Sequence, residues 1–257
     1  MASSKRPRIA VFTGDPAGIG PELVAKLLQD AEAMQTADVV LIAQRSQSTG
    51  NARVSRHAWA GQDVAAFAPG VAQADNGRFM LQALAEGVDL VRSGAADAFC
   101  FAPLNKGALR MGGMHQEDEL RWFAEYLGFD GECGELNVLR NLWTARVTSH
   151  VALRDVSALL SPRKVADAIR MITEALQAAG VVQPRLAVCG LNPHNGDGGN
   201  YGDEEGRIIS PVSNWRRARV MPPTVRSRPI PPSCVRYDRK AATTASSPCT
   251  TTRVRSR

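Results

Sequence analysis

The stretch RIAVFTGDPAGIGPELVAKLL, residues 8–28, decides the fold class of this chain. A short apolar run ends at Gly14, a loop with further glycines follows, and Leu23 and Leu27 then recur at helical spacing. Pro21 suits the first turn of a helix, where its missing N–H leaves no hydrogen bond unmade. The order of strand, glycine loop and helix predicts the first unit of an α/β protein.

Strand and helix patterns alternate along the chain to about residue 209. Further strands are predicted at 37–44, 96–103, 145–153 and 185–191, and further helices at 77–94, 118–128 and 161–180. This alternation predicts a mostly parallel sheet with helices on both faces. Because ligands bind at the carboxyl ends of such strands, the chemistry is expected in the loops after Gly14, Pro103, His150 and Leu191.

Length and composition limit the class of protein. The 257 residues are 44% hydrophobic, enough for a sizeable core in one large domain or two smaller ones. No apolar run approaches the roughly 18 residues of a membrane span, and the N-terminus lacks the pattern of a signal peptide. The cysteines are odd in number, show no C-x-x-C spacing, and include Cys100 and Cys189 in apolar runs. This pattern predicts a reduced, cytoplasmic protein with packed thiols and no membrane segment.

The positive charge lies in the C-terminal tail. Residues 221–257 hold eight Lys and Arg and one Asp, so of the chain's 31 basic and 25 acidic groups the first 220 residues hold 23 and 24. The tail has no Leu, Phe, Trp or Gly but six Pro, six Thr and five Ser, and we expect it to be disordered. A basic tail can bind polyanions weakly, although no motif for specific nucleic-acid recognition is present.

Two loops at strand ends could meet an anion. In TGDPAGIGPE (residues 13–22) a helix N-terminus follows the glycines, but the spacing matches neither the dinucleotide fingerprint nor a P-loop. Asp15 would repel a phosphate if it pointed inward, so a tight turn is favoured there. In APLNKGAL (residues 102–109) Lys106 could bind an anionic substrate or cofactor, although a solvated loop lysine is more common. The acids that open the helix after His115 are explained by the helix dipole alone.

His150 and His194 each lie at or beyond the end of a predicted strand and therefore at the same edge of the sheet. Neutral imidazole is a common ligand of zinc and similar ions, and catalytic sites usually have three protein ligands and one open position. Two histidines are one short of that set. From the residues alone, a metal site and hydrogen-bonded structural histidines are about equally favoured.

Four motifs in order resemble the 4-hydroxythreonine-4-phosphate dehydrogenase family of vitamin B6 (pyridoxine) biosynthesis and its paralogues. They are GDPAGIGPEL, APLNKGAL, VTSHVALRD and GLNPHNGDGGNYGDEE, and the similarity runs from about Arg8 to about Ile209. The resemblance implies two α/β/α domains like those of isopropylmalate dehydrogenases, a cleft active site and a homodimer that shares it. The corresponding domains are 1–112 and 113–220, with a non-native tail at 221–257 and the C-terminal part of the fold missing.

The resemblance also implies the chemistry. A secondary alcohol is oxidised by NAD or NADP, the resulting β-keto acid can lose carbon dioxide, and three histidines hold a divalent metal such as zinc, magnesium, cobalt or manganese. His150 and His194 match two of those histidines. The other implied roles are catalytic for Lys106 and Asp155, substrate-binding for Asn105, Glu117 and Asp118, and cofactor-binding for Gly14, Asp15, Gly18 and Asn192.

One departure from the family pattern concerns the substrate. Where the vitamin B6 enzymes carry Gly-His-Thr-Glu, residues 116–119 read Gln-Glu-Asp-Glu, which replaces donors with acceptor-only groups. Such a pocket suits a phosphorylated substrate poorly unless a metal or Lys106 compensates. This favours a paralogue acting on another hydroxy acid or diol, such as a four-carbon sugar acid phosphate or a cyclic diol.

A second departure concerns the tail. The third metal histidine, which the family carries in Met-Tyr-His-Asp-Gln-Gly, is absent, yet codons for Pro248–Val254 can be chosen that spell this peptide from the third base. The same offset applied to Arg228–Ser233 permits a second family segment, Ala-Asp-Thr-x-Phe. We therefore expect translation out of frame from near Ser213–Val220, and an inactive chain as written. The alternatives are a remnant without chemistry and a polyanion-binding protein.

Overall fold

Two compact units, Met1–Phe129 and Asp130–Arg257, make up the chain in this computed structural model. The structure describes residues 6–46, 52–62, 67–139, 142–213, 219–221 and 234–238. In these ranges no helix combines the length and the apolar character needed to cross a bilayer.

The first unit contains a four-stranded parallel sheet. Its strands are β1 (Arg8–Phe12), β2 (Asp38–Ile42), β3 (Val54–Arg56) and β4 (Ala98–Phe101), in the order β3-β2-β1-β4. Its helices are α1 (Gly20–Leu27), α2 (Ala31–Thr36), α3 (Ala74–Arg92), α4 (Lys106–Met111) and α5 (Glu119–Tyr126). The α/β prediction is confirmed here. The helix α1 ends at Leu27, and a second helix starts soon after it, where the Asp30 side chain caps α2 by accepting from Ala33 N at 2.9 Å.

Both faces of β1 are covered by helices, which explains its continuous apolar sequence. Ala10 and Phe12 belong to one core cluster with Met80 of α3. Val11 belongs to a second cluster with Val24 of α1. Because successive strand residues point to opposite faces, one short strand anchors both layers.

The boundary between the units differs from the predicted position after residue 112. The Phe123 ring of α5 packs against Phe99 and Phe101 of β4, with ring centroids 6.4 and 5.9 Å apart. The Tyr126 hydroxyl donates to Asp89 of α3 at 2.9 Å, and burial followed by this carboxylate raises the pKa of Tyr126. These contacts place α5 in the first unit, which therefore extends to Phe129.

The second unit contains a mixed five-stranded sheet. Its strands are β5 (Leu136–Leu139), β6 (Leu142–Arg146), β7 (Leu186–Cys189), β8 (Arg219–Met221) and β9 (Cys234–Asp238), in the order β5-β6-β9-β7-β8. The helices are a 3-10 turn (Leu153–Asp155), α6 (Val156–Leu159), α7 (Pro162–Ala178), a π-helical turn (Glu205–Ile209) and α8 (Ser210–Ser213). The strand predicted at 145–153 is wrong beyond Arg146, because β6 begins earlier and the chain leaves the sheet before His150.

The helix α7 carries the core of the second unit. Ser161 caps it by accepting from Lys164 N at 3.3 Å, and Gly180 follows its end with a φ of +88°, as predicted. One face of α7 packs against Ala145 of β6 and Val188 of β7. The buried residues on this face are Val165, Ala168, Ile169, Ile172 and Leu176.

The tail contains regular structure that its composition did not predict. The strand β9 pairs antiparallel with β6 on one side and β7 on the other. Residues 222–233 and 239–257, on which the rest of the disorder prediction falls, lie outside the described residues.

The cysteines of the described residues differ in how far they are packed. Cys100, Cys133 and Cys189 are free thiols. Cys100 was expected to be packed but is exposed, because the second half of β4 faces solvent at the edge of the sheet.

Candidate functional site

Two loops meet at the carboxyl edge of the first sheet, where the neighbouring strands β1 and β4 end. The backbone N of Asp15 donates to the carbonyl of Pro103 at 3.0 Å. Gly14 has a φ of +77°, and a Cβ there would lie 2.5 Å from the oxygen of Pro103. Glycine is therefore required at this position both for its backbone conformation and for the close approach of the loops.

The Asp15 side chain serves the turn. It is buried, and its Oδ1 accepts from Ala17 N at 3.0 Å and from Asn76 Nδ2 at 3.4 Å. Asn76, fully buried on α3, also donates to the carbonyl of Val71 at 3.0 Å. Gly18 is exposed and donates its N–H back to the Asp15 carbonyl at 3.1 Å. The geometry is that of the tight turn favoured by the spacing.

Lys106 and Asn105 open α4 directly beyond β4. Asn105 is the N-cap, and its Oδ1 accepts from Ala108 N at 3.1 Å. The Lys106 ammonium is largely exposed and lies 3.8 Å from the carboxylate of Glu119. A lysine held at a strand end with its tip in solvent can bind a carboxylate or a phosphate.

The three acidic residues at the start of α5, Glu117, Asp118 and Glu119, have different surroundings. Glu117 is exposed, Asp118 caps α5 by accepting from Arg121 N at 2.9 Å, and Glu119 pairs with Lys106. The two histidines of this unit also lie beside carboxylates: His57 Nε2 is 2.8 Å from Glu86, and His115 Nε2 is 3.5 Å from Glu125.

The topology of the second sheet brings the two predicted histidines to one edge. Because β6 and β7 both run antiparallel to β9, they run parallel to each other on either side of it. Their carboxyl ends therefore lie at the same edge of the sheet. His150 follows β6 and His194 follows β7, and both side chains are exposed.

Both histidines adopt a left-handed backbone conformation, with φ of +56° at His150 and +53° at His194. Among the described residues, the other non-glycine positions with positive φ are Asn195 and Asp197, which follow His194 directly. Each such residue costs on the order of 1–3 kcal/mol and persists only where its surroundings determine it. The strain is thus concentrated around the candidate metal ligands.

The donor set fits part of a metal site. Two exposed imidazoles at one sheet edge suit zinc and similar transition-metal ions, for which imidazole is a common ligand. In the described ranges no group of three His, Cys, Asp or Glu side chains is arranged to hold an ion. The two histidines alone would be one ligand short of the three that a catalytic site usually has.

Asp155 and Asn192 lie in the same unit in different surroundings. Asp155 ends a 3-10 turn, is exposed, and has Arg154 Nε 3.7 Å from its Oδ1. The Asn192 amide nitrogen donates to Glu204 at 2.7 Å and to Glu205 at 3.0 Å. Its donor group therefore faces the protein.

Sequence reasoning missed the roles of Glu204, Glu205 and Ser157. Glu205 is almost fully buried under the glycine-rich loop, and Ser157 Oγ donates to Glu204 Oε1. The Ser157 hydroxyl, with the backbone and the Asn192 amide, holds the pKa of Glu204 below its ordinary value. The only sequence signal was the run Asp-Glu-Glu at 203–205, which does not reveal which carboxylate is buried.

Comparison with known proteins finds one family whose model matches residues of both units. The model of the family described as "Pyridoxal phosphate biosynthetic protein PdxA" matches residues 9–235. A candidate 4-hydroxythreonine-4-phosphate dehydrogenase of Pseudomonas aeruginosa is 46% identical over 235 residues, covering 82% of this chain and 70% of that protein. A candidate D-threonate 4-phosphate dehydrogenase of Bradyrhizobium diazoefficiens is 33% identical over 229 residues, covering 79% and 65%.

A solved structure shows the same architecture. The crystal structure of a 4-hydroxythreonine-4-phosphate dehydrogenase from Klebsiella pneumoniae superposes with a TM-score of 0.74 at 26% identity. The match covers 86% of this chain and 76% of that one. The predicted α/β class of both units agrees with this likeness.

Proposed function

Since the chain belongs to the family of pyridoxal phosphate biosynthetic protein PdxA, an oxidoreductase family acting on CH–OH groups, we propose that it oxidises a phosphorylated hydroxy acid with NAD or NADP. The substrates in its relatives' names, 4-hydroxythreonine 4-phosphate and D-threonate 4-phosphate, share a carboxylate, a secondary hydroxyl and a terminal phosphate. We propose a substrate with these three groups and leave the amino or hydroxyl group beside the carboxylate open.

The observation that carries the proposal is the pair of left-handed histidines that follow β6 and β7. His150 and His194 would hold a divalent ion through their imidazole nitrogens. When bound, such an ion polarises the hydroxyl of the substrate and the carbonyl that replaces it. Backbone strain at both positions supports a functional rather than a structural role, since a hydrogen-bonded histidine does not require it.

Three further parts of the chain would bind the substrate's charge, accept its proton and approach the cofactor. Lys106 would bind the phosphate or carboxylate of the substrate, with Glu119 limiting its excess charge. Asp155 is an exposed carboxylate beyond β6 and would accept the proton that leaves the hydroxyl as hydride departs. The Gly14 turn would bring backbone N–H groups close to the cofactor.

We propose a homodimer in which the partner completes the metal site. Two histidines are one ligand short in the described residues. Codons that permit an alternative reading frame of the tail would encode the third histidine in the order expected for the family. As written, the chain would then have too few ligands for turnover.

The test compares the chain as written with a version whose tail is translated in the alternative frame. Both are incubated with 4-hydroxythreonine 4-phosphate or D-threonate 4-phosphate, NAD or NADP, and each candidate metal in turn, and reduced nicotinamide is followed by absorbance. We expect turnover only by the frame-restored protein. A folded, metal-loaded restored protein that oxidises neither substrate would overturn the substrate class. Metal-dependent turnover by the chain as written would overturn the out-of-frame interpretation.

A further inference from the structure

We propose that Glu205 is a positioning residue that holds the left-handed segment carrying His194, with Glu204 as a second anchor. The inference rests on the proposed function, in which His194 is a metal ligand. The inference concerns what holds the backbone of His194 in place, which the proposed chemistry leaves open.

Five successive residues, from His194 to Gly198, have positive φ values between 44° and 80°. Three of them are His194, Asn195 and Asp197, residue types that tolerate this conformation singly but do not form a left-handed run by themselves. Contacts from outside the segment must therefore hold it in place.

Glu205 makes such contacts with the two residues that lead into the segment, Leu191 and Asn192. Its Oε1 accepts from Leu191 N at 2.7 Å and from Asn192 N at 2.6 Å, and its Oε2 accepts from Asn192 Nδ2 at 3.0 Å. The residue is 3% exposed, and in the described part of the chain it forms no ion pair. Hydrogen bonds to a buried carboxylate are among the stronger ones in proteins, because the acceptor is charged.

The glycines of the motif leave space for this carboxylate. A Cβ at Gly190 would lie 3.2 Å from Glu205 Oε1, and one at Gly196 would lie 3.2 Å from Oε2. The carboxylate therefore lies between the start and the middle of the loop. It fixes the entrance to the segment directly before His194.

Glu204 ties the same loop to the element after His150. Its Oε2 accepts from Asn192 Nδ2 at 2.7 Å, and its Oε1 accepts from the hydroxyl of Ser157 on α6. The Asn192 amide thus bridges the two adjacent carboxylates. The pair couples the segments that follow β6 and β7, so it would also set how the two histidines face each other.

The experiment compares Glu205→Gln with its parent, in the chain as written for loop exchange and in the frame-restored protein for metal binding. The substitution keeps the size of the side chain but removes its charge and one acceptor. Glu174→Gln, on the exposed side of α7, is the matched control. Hydrogen–deuterium exchange of peptides covering residues 190–202 reports the loop, and titration with cobalt(II) chloride reports the histidines. In Glu205→Gln we expect loop exchange faster by about tenfold and cobalt affinity weaker by roughly 10- to 100-fold. Glu174→Gln should match the parent in both.

Unchanged loop exchange in a folded Glu205→Gln protein would overturn the positioning role. So would unchanged cobalt affinity in that variant, if His194→Ala does lose affinity. If the parent binds no cobalt, or His194→Ala binds as the parent does, the metal role in the proposed function fails and loop exchange alone decides the role of Glu205. If Glu205→Gln does not fold, Asn192→Ala removes only the bridging amide. A smaller rise in loop exchange is then expected, and none would overturn the proposal.

Discussion

The two sheet edges differ in which residues adopt the left-handed backbone conformation and in which contacts hold their loops. Both place a glycine-containing loop at the carboxyl end of a buried strand. At the first edge the left-handed position is Gly14, and the side chain of Asp15 closes the turn on itself. At the second edge the left-handed positions include His150 and His194, and carboxylates from later in the chain hold the loop that carries His194.

The difference indicates what each edge presents to a ligand. The first edge has little backbone strain, because its left-handed position is a glycine. At the second edge the strained backbone positions include two histidines, which suits a role in which the imidazole side chain itself is needed.

The largest expected effect is at the histidines. In the frame-restored protein, His150→Ala or His194→Ala should remove the metal and the activity together, because losing one of three ligands leaves too few to compete with water. Metal content by elemental analysis and the rate of nicotinamide reduction measure both. Full activity with unchanged metal content in either variant would refute the ligand assignment.

The next effect tests the first edge. Gly14→Ala places a Cβ 2.5 Å from the carbonyl oxygen of Pro103 in addition to its positive φ. We expect a loss of about 3 kcal/mol in the free energy of unfolding. Gly94→Ala is the matched control, since its φ is +71° but no atom lies within 4 Å of the new Cβ. It should cost only about 1 kcal/mol, and equal losses in denaturant titrations would show that the contact with Pro103 is unimportant.

A smaller effect of opposite sign is expected at His194. His194→Gly relieves the left-handed strain and should raise the free energy of unfolding by about 1 kcal/mol while removing metal binding. His115→Gly, at an exposed position without positive φ, should not stabilise the protein. If His194→Gly is destabilising, then the strain assigned to the second edge is not significant.

The smallest effect is a dependence on pH. The Ser157 hydroxyl lowers the pKa of Glu204 below 4.5, so the stability that this anchor provides is present above that pH and is lost as the pH falls through the lowered value. Ser157→Ala should move the pKa back toward 4.5, as measured by NMR titration of the carboxyl carbon. The effect on stability should be small, because Glu204 is exposed to solvent screening. An unchanged pKa would contradict the assigned cause.

The parts of the fold that follow from local rules were predictable from the sequence. The helix α7 has a capping serine, a first-turn proline and a terminal glycine, and β1 and β7 are short apolar runs that end at glycine. Features that depend on distant contacts were not predictable. The unit boundary depends on Phe123 packing against β4, and the burial of Glu205 depends on the space beside Gly190 and Gly196. The edge position of the histidines was foreseen because it needs only strand order, whereas their backbone strain was not.

The position of β9 sets an order of events during synthesis. The first sheet is complete in the chain by Phe101, so it can form while the ribosome is still translating the second unit. In the second sheet β6 and β7 are joined only through β9, which follows them at Cys234–Asp238. Until that strand emerges, both carry unpaired edges that are prone to mispairing. The late strand therefore makes the second unit the slow-folding and aggregation-prone half of the molecule, as expected where pairing is distant in sequence.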